Sequence, residues 1–343
     1  TVLEPSLRNR LHTESWPEHR KAHLIRESHK SYCSQRHEID KEGSGGFSLD
    51  WREAVSLAPI RDFPNKLPER RLVLSKFGWA PMAIPPRPGS APVPPPPPPQ
   101  PWKRIPVASV SDRNDVFFRF CADRKAPQFE VLTVQSVGSL VEYLGRRASL
   151  YASAGLVGND SDQITILEVG AGSGRLTHFI SLGIESMAKH PEWPNLKKVC
   201  CTAVDNFSER IPTLFPIDTC EANQAAEKYH PTIIVSSWMP IGDDWSESFR
   251  SCESVQEYII IGPPEVIGHV EKTWGKLPDG WQRKEIEEVA QYQICRCDSK
   301  GSVGHSTTTS FRRTHGLEPN RLESIVSAKE SGNSFYREKK YFE

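Results

Sequence analysis

The chain has 343 residues, of which 37% are hydrophobic and 29 are proline, with Lys+Arg and Asp+Glu equal at 43 each. That apolar share is below the globular norm, so part of the length is expected to be extended or irregular rather than core. Balanced charge excludes a global field that would draw in nucleic acid or an anionic membrane, and no run of ~18 apolar residues exists to cross a bilayer.

Residues 1–80 read as an N-terminal extension with little core, apart from a helix expected around Glu18 to Ile39. His19, His23, His29, Cys33 and His37 recur at intervals of four within their groups, which would align ligands on one helical face. No Cys-x-x-Cys pair accompanies them and basic residues intervene, so no metal site is expected. Residues 81–106 are proline-rich, with Pro94 to Pro99 all proline, and predict a stiff polyproline II strip that links or docks a protein partner. Cysteines inside apolar runs (Cys200, Cys201, Cys295) suit a reducing, intracellular compartment better than a disulfide framework. The first residue is Thr1 rather than Met, which fits a processed organellar protein, a mitochondrial one included, and equally a trimmed chain.

Periodic sequence fills residues 107–315. Gln135 to Ala154 predicts a helix, with Val137, Leu140, Val141 and Leu144 tending to one face. Four short β-branched runs follow: Ile164–Val169, Lys198–Val204, Thr232–Ser236 and Tyr258–Ile261. Their near-continuous hydrophobicity predicts strands covered on both sides, as in a parallel sheet. Ile286–Cys297 and His305–Arg313, joined through Ser299 to Ser302, predict a terminal antiparallel hairpin. Along such a strand Cys295 and Cys297 would face opposite sides. A polar tail, 316–343, closes the chain.

Between the first of these strands and the next helix lies Leu167-Glu168-Val169-Gly170-Ala171-Gly172-Ser173-Gly174-Arg175-Leu176. Glycines at this density let a ligand approach the backbone closely. The dinucleotide fingerprint needs Gly-x-Gly-x-x-Gly, and here the third glycine falls one position early with Arg175 in its place. The P-loop needs Gly-Lys-Ser/Thr, which is also missing.

Glu168 to Gly174 resembles motif I of the class I S-adenosylmethionine-dependent methyltransferases. The resemblance covers roughly residues 135–314. It implies an α/β, doubly wound Rossmann-like sheet, mostly parallel with a terminal antiparallel hairpin. It further implies S-adenosylmethionine as cofactor, with Glu168, Gly170, Gly172 and Gly174 on its methionine side. In that family an acid ending the second strand grips the ribose hydroxyls, and Asp205 stands there. An acid after the third strand, which the resemblance places at about Phe215–Cys220, lies near the adenine; Glu221 is the candidate, with Asp218 competing.

The loop after the fourth strand would carry the acceptor side. It reads Ser237-Trp238-Met239-Pro240 and continues to Asp243-Asp244-Trp245. The Asp/Asn-Pro-Pro-aromatic signature of many amino-group methyltransferases is absent, and no glutamate flanks Trp238 as in protein-arginine methyltransferases. Trp238 is the candidate for stacking or cation–π contact, and Asp243 or Asp244 for taking a proton. Two readings follow: methyl transfer to an unidentified acceptor, or a catalytically silent methyltransferase-like scaffold held in an assembly by its N-terminal extension.

Overall fold

The structure, a computed structural model, describes residues 66–77, 117, 120–121, 127–156, 163–207, 211–300 and 306–314. The expected helix at 18–39 with its His/Cys group, the proline-rich segment 81–106 and the tail 316–343 lie outside the described residues.

The elements in order are α1 (Arg70–Lys76), α2 (Val134–Ser153), β1 (Ile164–Val169), α3 (Arg175–Ala188), β2 (Val199–Asp205), β3 (Asp218–Thr219) and α4 (Ala222–Tyr229). They continue with β4 (Ile233–Ser237), α5 (Ser246–Ser251), β5 (Glu257–Gly262), β6 (Trp281–Glu285), α6 (Glu287–Ala290) and β7 (Thr307–Arg313). Among the described residues seven strands form one sheet in the order β3-β2-β1-β4-β5-β7-β6. β1 to β5 are parallel neighbours, and β7 runs antiparallel between β5 and β6. The fold is an α/β, Rossmann-like sheet, mostly parallel with one antiparallel hairpin.

The continuous apolar runs behave as a doubly covered sheet requires. Ile164, Ile166, Ile233, Val235, Ile259 and Ile261 share one core with α2 and α3, including Leu140, Leu144, Phe179 and Ile180. The alternate residues Leu167, Val169, Ile234, Tyr258 and Ile260 join Ala225, Phe249 and Phe311 in the core of the opposite face. Side chains alternate along a strand, so a run apolar at every position is buried on both sides. α2 starts at a reciprocal cap: Ser136 N donates to Thr133 Oγ1 (3.2 Å) while Thr133 N donates to Ser136 Oγ (3.1 Å).

A buried ionic cluster ties α2 to β5 and β7. Glu257, fully buried, accepts from Arg147 Nε at 2.6 Å, Tyr151 Oη at 2.8 Å and Ser310 Oγ at 2.5 Å, and also from Tyr143. Arg312 lies 3.5 Å from the same carboxylate. Burial alone would raise this carboxyl, yet Arg147, Arg312 and the hydroxyl donors hold it down to about 2.

Within residues 1–80, read as an extension with little core, Leu67 joins the α2–α3 core, and Val73, Leu74 and Phe77 pack with Phe117, Phe120, Val131 and Ile294. Phe77 and Phe117 meet edge-on at 4.7 Å. The first hairpin strand is Trp281–Glu285, not Ile286–Cys297. Ile286 and Val289 instead turn into α6 and bury against α2, because their spacing of three suits one helical face. The third strand, expected over 215–220, shrinks to Asp218–Thr219. With no strand at 286–297, the alternation expected of Cys295 and Cys297 does not apply: Cys295 forms a single β-bridge with Glu130, and Cys297 lies in the 3-10 turn that follows. Among the described residues no helix is long and apolar enough to cross a membrane, and no group of three His, Cys, Asp or Glu could hold a metal.

Candidate functional site

The glycine turn joins β1 to α3 and owes its spacing to backbone geometry. Gly170, Gly172 and Gly174 all have positive φ (74°, 56° and 74°), so the left-handed conformation recurs at every second residue. Only glycine takes that conformation without strain at Cβ. The turn is pinned from β2: Gly170 N and Ala171 N both donate to Val204 O at 3.0 Å, and Gly172 N donates to Asp205 Oδ2 at 2.8 Å. The other carboxylate oxygen of Asp205 accepts from Phe207 N at 2.6 Å. Asp205 thus ends β2 at the turn, where the sequence places an acid.

The turn opens into a cavity of about 410 Å3 at the carboxyl ends of the strands. This is where open α/β sheets place ligands, and the volume lies within the range of small-molecule sites. Of the ten candidates the sequence offers, all but Gly174 and Asp218 line it. Gly174 instead caps α3, backed by Ile217 and Phe215. The chain's own side chains also press on the turn: a Cβ at Gly170 would stand 2.9 Å from Trp245 Cζ3, and one at Gly172 would stand 3.2 Å from Ile211 Cδ1.

Glu168 is buried at the floor, where Thr177 N donates to Oε2 at 2.9 Å and the Thr177 hydroxyl donates to the same oxygen. Burial raises its carboxyl to about 7 against the pull of those two donors. Glu221 sits at the N-terminus of α4 and accepts from Asn206 Nδ2 at 3.1 Å. Its rival Asp218 accepts from Tyr229 Oη at 2.9 Å and does not line the cavity.

The acceptor-side candidates diverge. Asp243 is exposed at the rim. Asp244 Oδ1 accepts from Ser246 Oγ (2.5 Å) and Thr273 Oγ1 (2.8 Å), which anchors α5 and the 269–273 turn. Its Oδ2 is buried without a hydrogen-bond partner. Trp238 adopts φ 61°, rare for a bulky residue, and its N donates to Ile261 O at 2.9 Å. That kink sends the indole Nε1 to Glu130 Oε1, 2.8 Å away.

Glu130 is the site residue that sequence reasoning missed. It lines the cavity from the segment before α2, where its Oε1 also accepts from Ser306 Oγ. Burial pushes its carboxyl up to about 8, partly offset by those two donors. It sits in no motif and 108 residues from Trp238, so no local pattern marks it. Phe129 beside it packs on Trp238 with ring centres 5.4 Å apart and carries the Arg296 guanidinium 4.8 Å from its ring centre.

No protein-family model matches the chain, and no curated protein matches it. Among solved structures it is similar to the plantazolicin methyltransferase BpumL in complex with SAH, at 9% identity over 53% of this chain and 86% of that one, with a TM-score of 0.29. It is similar to the CMeT domain of the citrinin polyketide synthase at 14% identity, covering 46% of this chain and 48% of that one, TM-score 0.23. A third likeness is to TrmK of M. capricolum in complex with S-adenosyl-homocysteine, at 10% identity over 52% of this chain and 81% of that one, TM-score 0.23. These values describe the fold alone, and the functional reading rests on the cleft.

Proposed function

We propose that the cleft binds S-adenosylmethionine and that the chain transfers its methyl group to an acceptor. The observation that carries this reading is the pinned turn: three left-handed glycines, held by Asp205 through the Gly172 amide, open directly onto a cavity at the switch between β1 and β4. The residues present fit such a ligand. Asp205 faces the cavity with lone pairs left to accept vicinal hydroxyls. The lining holds six carboxyl side chains (Glu130, Glu168, Asp205, Glu221, Asp243, Asp244) against the single guanidinium of Arg175, a balance suited to a ligand bearing sulfonium and ammonium charges. Trp238 and Trp245 add aromatic faces for a cation. When bound, the cofactor supplies an activated methyl group; the chain contributes positioning, which can account for much of the rate of an in-line displacement.

Calorimetric titration with S-adenosylmethionine and S-adenosylhomocysteine tests this. Binding that weakens tenfold or more in Asp205→Ala is expected, and absence of binding sinks the reading.

One observation favours a silent scaffold: Trp245 and Ile211 already occupy the faces of Gly170 and Gly172. In that reading the proline-rich segment 81–106 docks a protein partner, in a mitochondrial or other assembly. Native mass spectrometry of the endogenous protein decides it, since a free monomer contradicts a scaffold.

A further inference from the structure

We propose that Glu130 is the catalytic proton acceptor of this site and that the methyl acceptor is a primary or secondary amine entering as its ammonium. The inference rests on the methyl-transfer reading and names the substrate class of the same cleft.

Three contacts aim the Glu130 carboxyl. Trp238 Nε1 and Ser306 Oγ both donate to Oε1, and the backbone of residue 130 bridges to Cys295. Both side-chain donors converge on one oxygen, so Oε2 accepts nothing among the described residues and is left for a ligand. The strained backbone of Trp238 (φ 61°) serves this arrangement, because without the kink the indole would not reach across to the segment before α2. The titratable and charged groups around Glu130 are Asp298, Cys295 and Cys297 on the neighbouring loop, Cys121, and Arg296, whose guanidinium lies over the Phe129 ring. Burial outweighs the donors and the neighbouring charges, and the carboxyl rises to about 8, within reach of an amine's own proton affinity.

The acceptor class follows from charge. A hydroxyl or thiol would have to become an anion beside Glu130, Asp243 and Asp244 before attacking. An ammonium is attracted by those carboxylates and becomes neutral on losing its proton. The step balances: R–NH3+ gives a proton to the Glu130 carboxylate, and the freed nitrogen lone pair attacks the methyl carbon. The N–C bond forms as the C–S bond breaks, its electron pair staying on sulfur. The sulfonium becomes a neutral thioether, and the methylated ammonium carries the charge.

The test compares two probes by calorimetry. Sinefungin, which bears a primary amine where the transferable methyl stands, presents an ammonium to Glu130; S-adenosylhomocysteine does not. The wild-type chain is expected to bind sinefungin at least tenfold more tightly than S-adenosylhomocysteine. Glu130→Gln is expected to abolish that preference while leaving S-adenosylhomocysteine affinity within twofold. A preference absent in wild type, or unchanged in Glu130→Gln, overturns the assignment while leaving the methyl-transfer reading standing. Failure of both probes to bind the wild type overturns that reading, and the assignment with it. Should Glu130→Gln not fold, Glu130→Asp, with its charge one methylene short, is expected to lose at least threefold of the preference; full retention overturns the assignment.

Discussion

Asp205 and Gly172 close the site from neighbouring strands: the aspartate that ends β2 accepts, at 2.8 Å, the amide of the central glycine in the turn after β1. A charged acceptor on a backbone N–H is worth about 1.5–3 kcal/mol, so the same carboxylate shapes the turn before any ligand arrives. Asp205→Ala is therefore expected both to weaken cofactor binding and to loosen the turn in the free protein. Hydrogen exchange should show faster exchange at the Gly172 and Phe207 amides, while Val169 stays protected; unchanged Gly172 exchange contradicts this role.

Gly170 is constrained twice. Its φ of 74° disfavours any side chain, and a Cβ would meet Trp245 at 2.9 Å. Gly170→Ala is expected to cost about 1–3 kcal/mol, read as a lower denaturation midpoint. Trp245→Phe in the same background should recover part of that loss, and strict additivity of the two substitutions would show that the ring is not the obstacle.

The buried Glu257 cluster predicts acid sensitivity of a definite sign. Its folded carboxyl is held at about 2, below the ordinary value of 4.5. The stability it contributes is complete above about pH 4.5 and is lost as pH falls towards 2. Glu257→Ala leaves Arg147 buried and unpaired and should destabilise by about 3–5 kcal/mol near pH 7. The deficit should shrink in denaturant melts as pH falls from 5 to 3. A constant deficit across that range contradicts the assignment.

Glu130 carries the opposite sign. Its folded carboxyl lies near 8 against an ordinary 4.5, so the folded state favours the protonated form. The stabilising contribution is present below about pH 4.5 and is lost as pH rises through 8. The melting temperature of Glu130→Gln minus that of the wild type should consequently grow more positive from pH 5 to pH 8. A difference independent of pH would place the wild-type carboxyl outside that window.

How legible was this molecule in its sequence? β1 was readable to the residue, because Ile164–Val169 is apolar on both faces and ends at a glycine turn that only one backbone conformation explains. β6 was not, because Trp281–Glu285 is an edge strand with four exposed polar residues, which leaves no alternation to read. The apolar residues just beyond it, Ile286 and Val289, imitate a strand while packing as a helical turn. The cofactor side of the cleft was legible for the same reason as β1: Gly170, Gly172 and Asp205 each stand at the end of a continuous apolar strand run. The acceptor side was not, since Glu130, Trp238 and Ser306 meet only through tertiary packing across separations of up to 176 residues.

The position of β7 has a consequence for how the chain assembles. β7 is an interior strand of the sheet, wedged between β5 and β6, although it is the last of the described strands to be made. Until residues 307–313 leave the ribosome, β5 has an open edge, β6 has no partner among the described strands, and Glu257 lacks Arg312 and Ser310. Completion of the domain is thus a late insertion event rather than a progressive zipping. A nascent chain stalled before Thr307 presents the apolar edge Tyr258–Ile261 to its surroundings, and such chains should depend on chaperones in proportion to the pause.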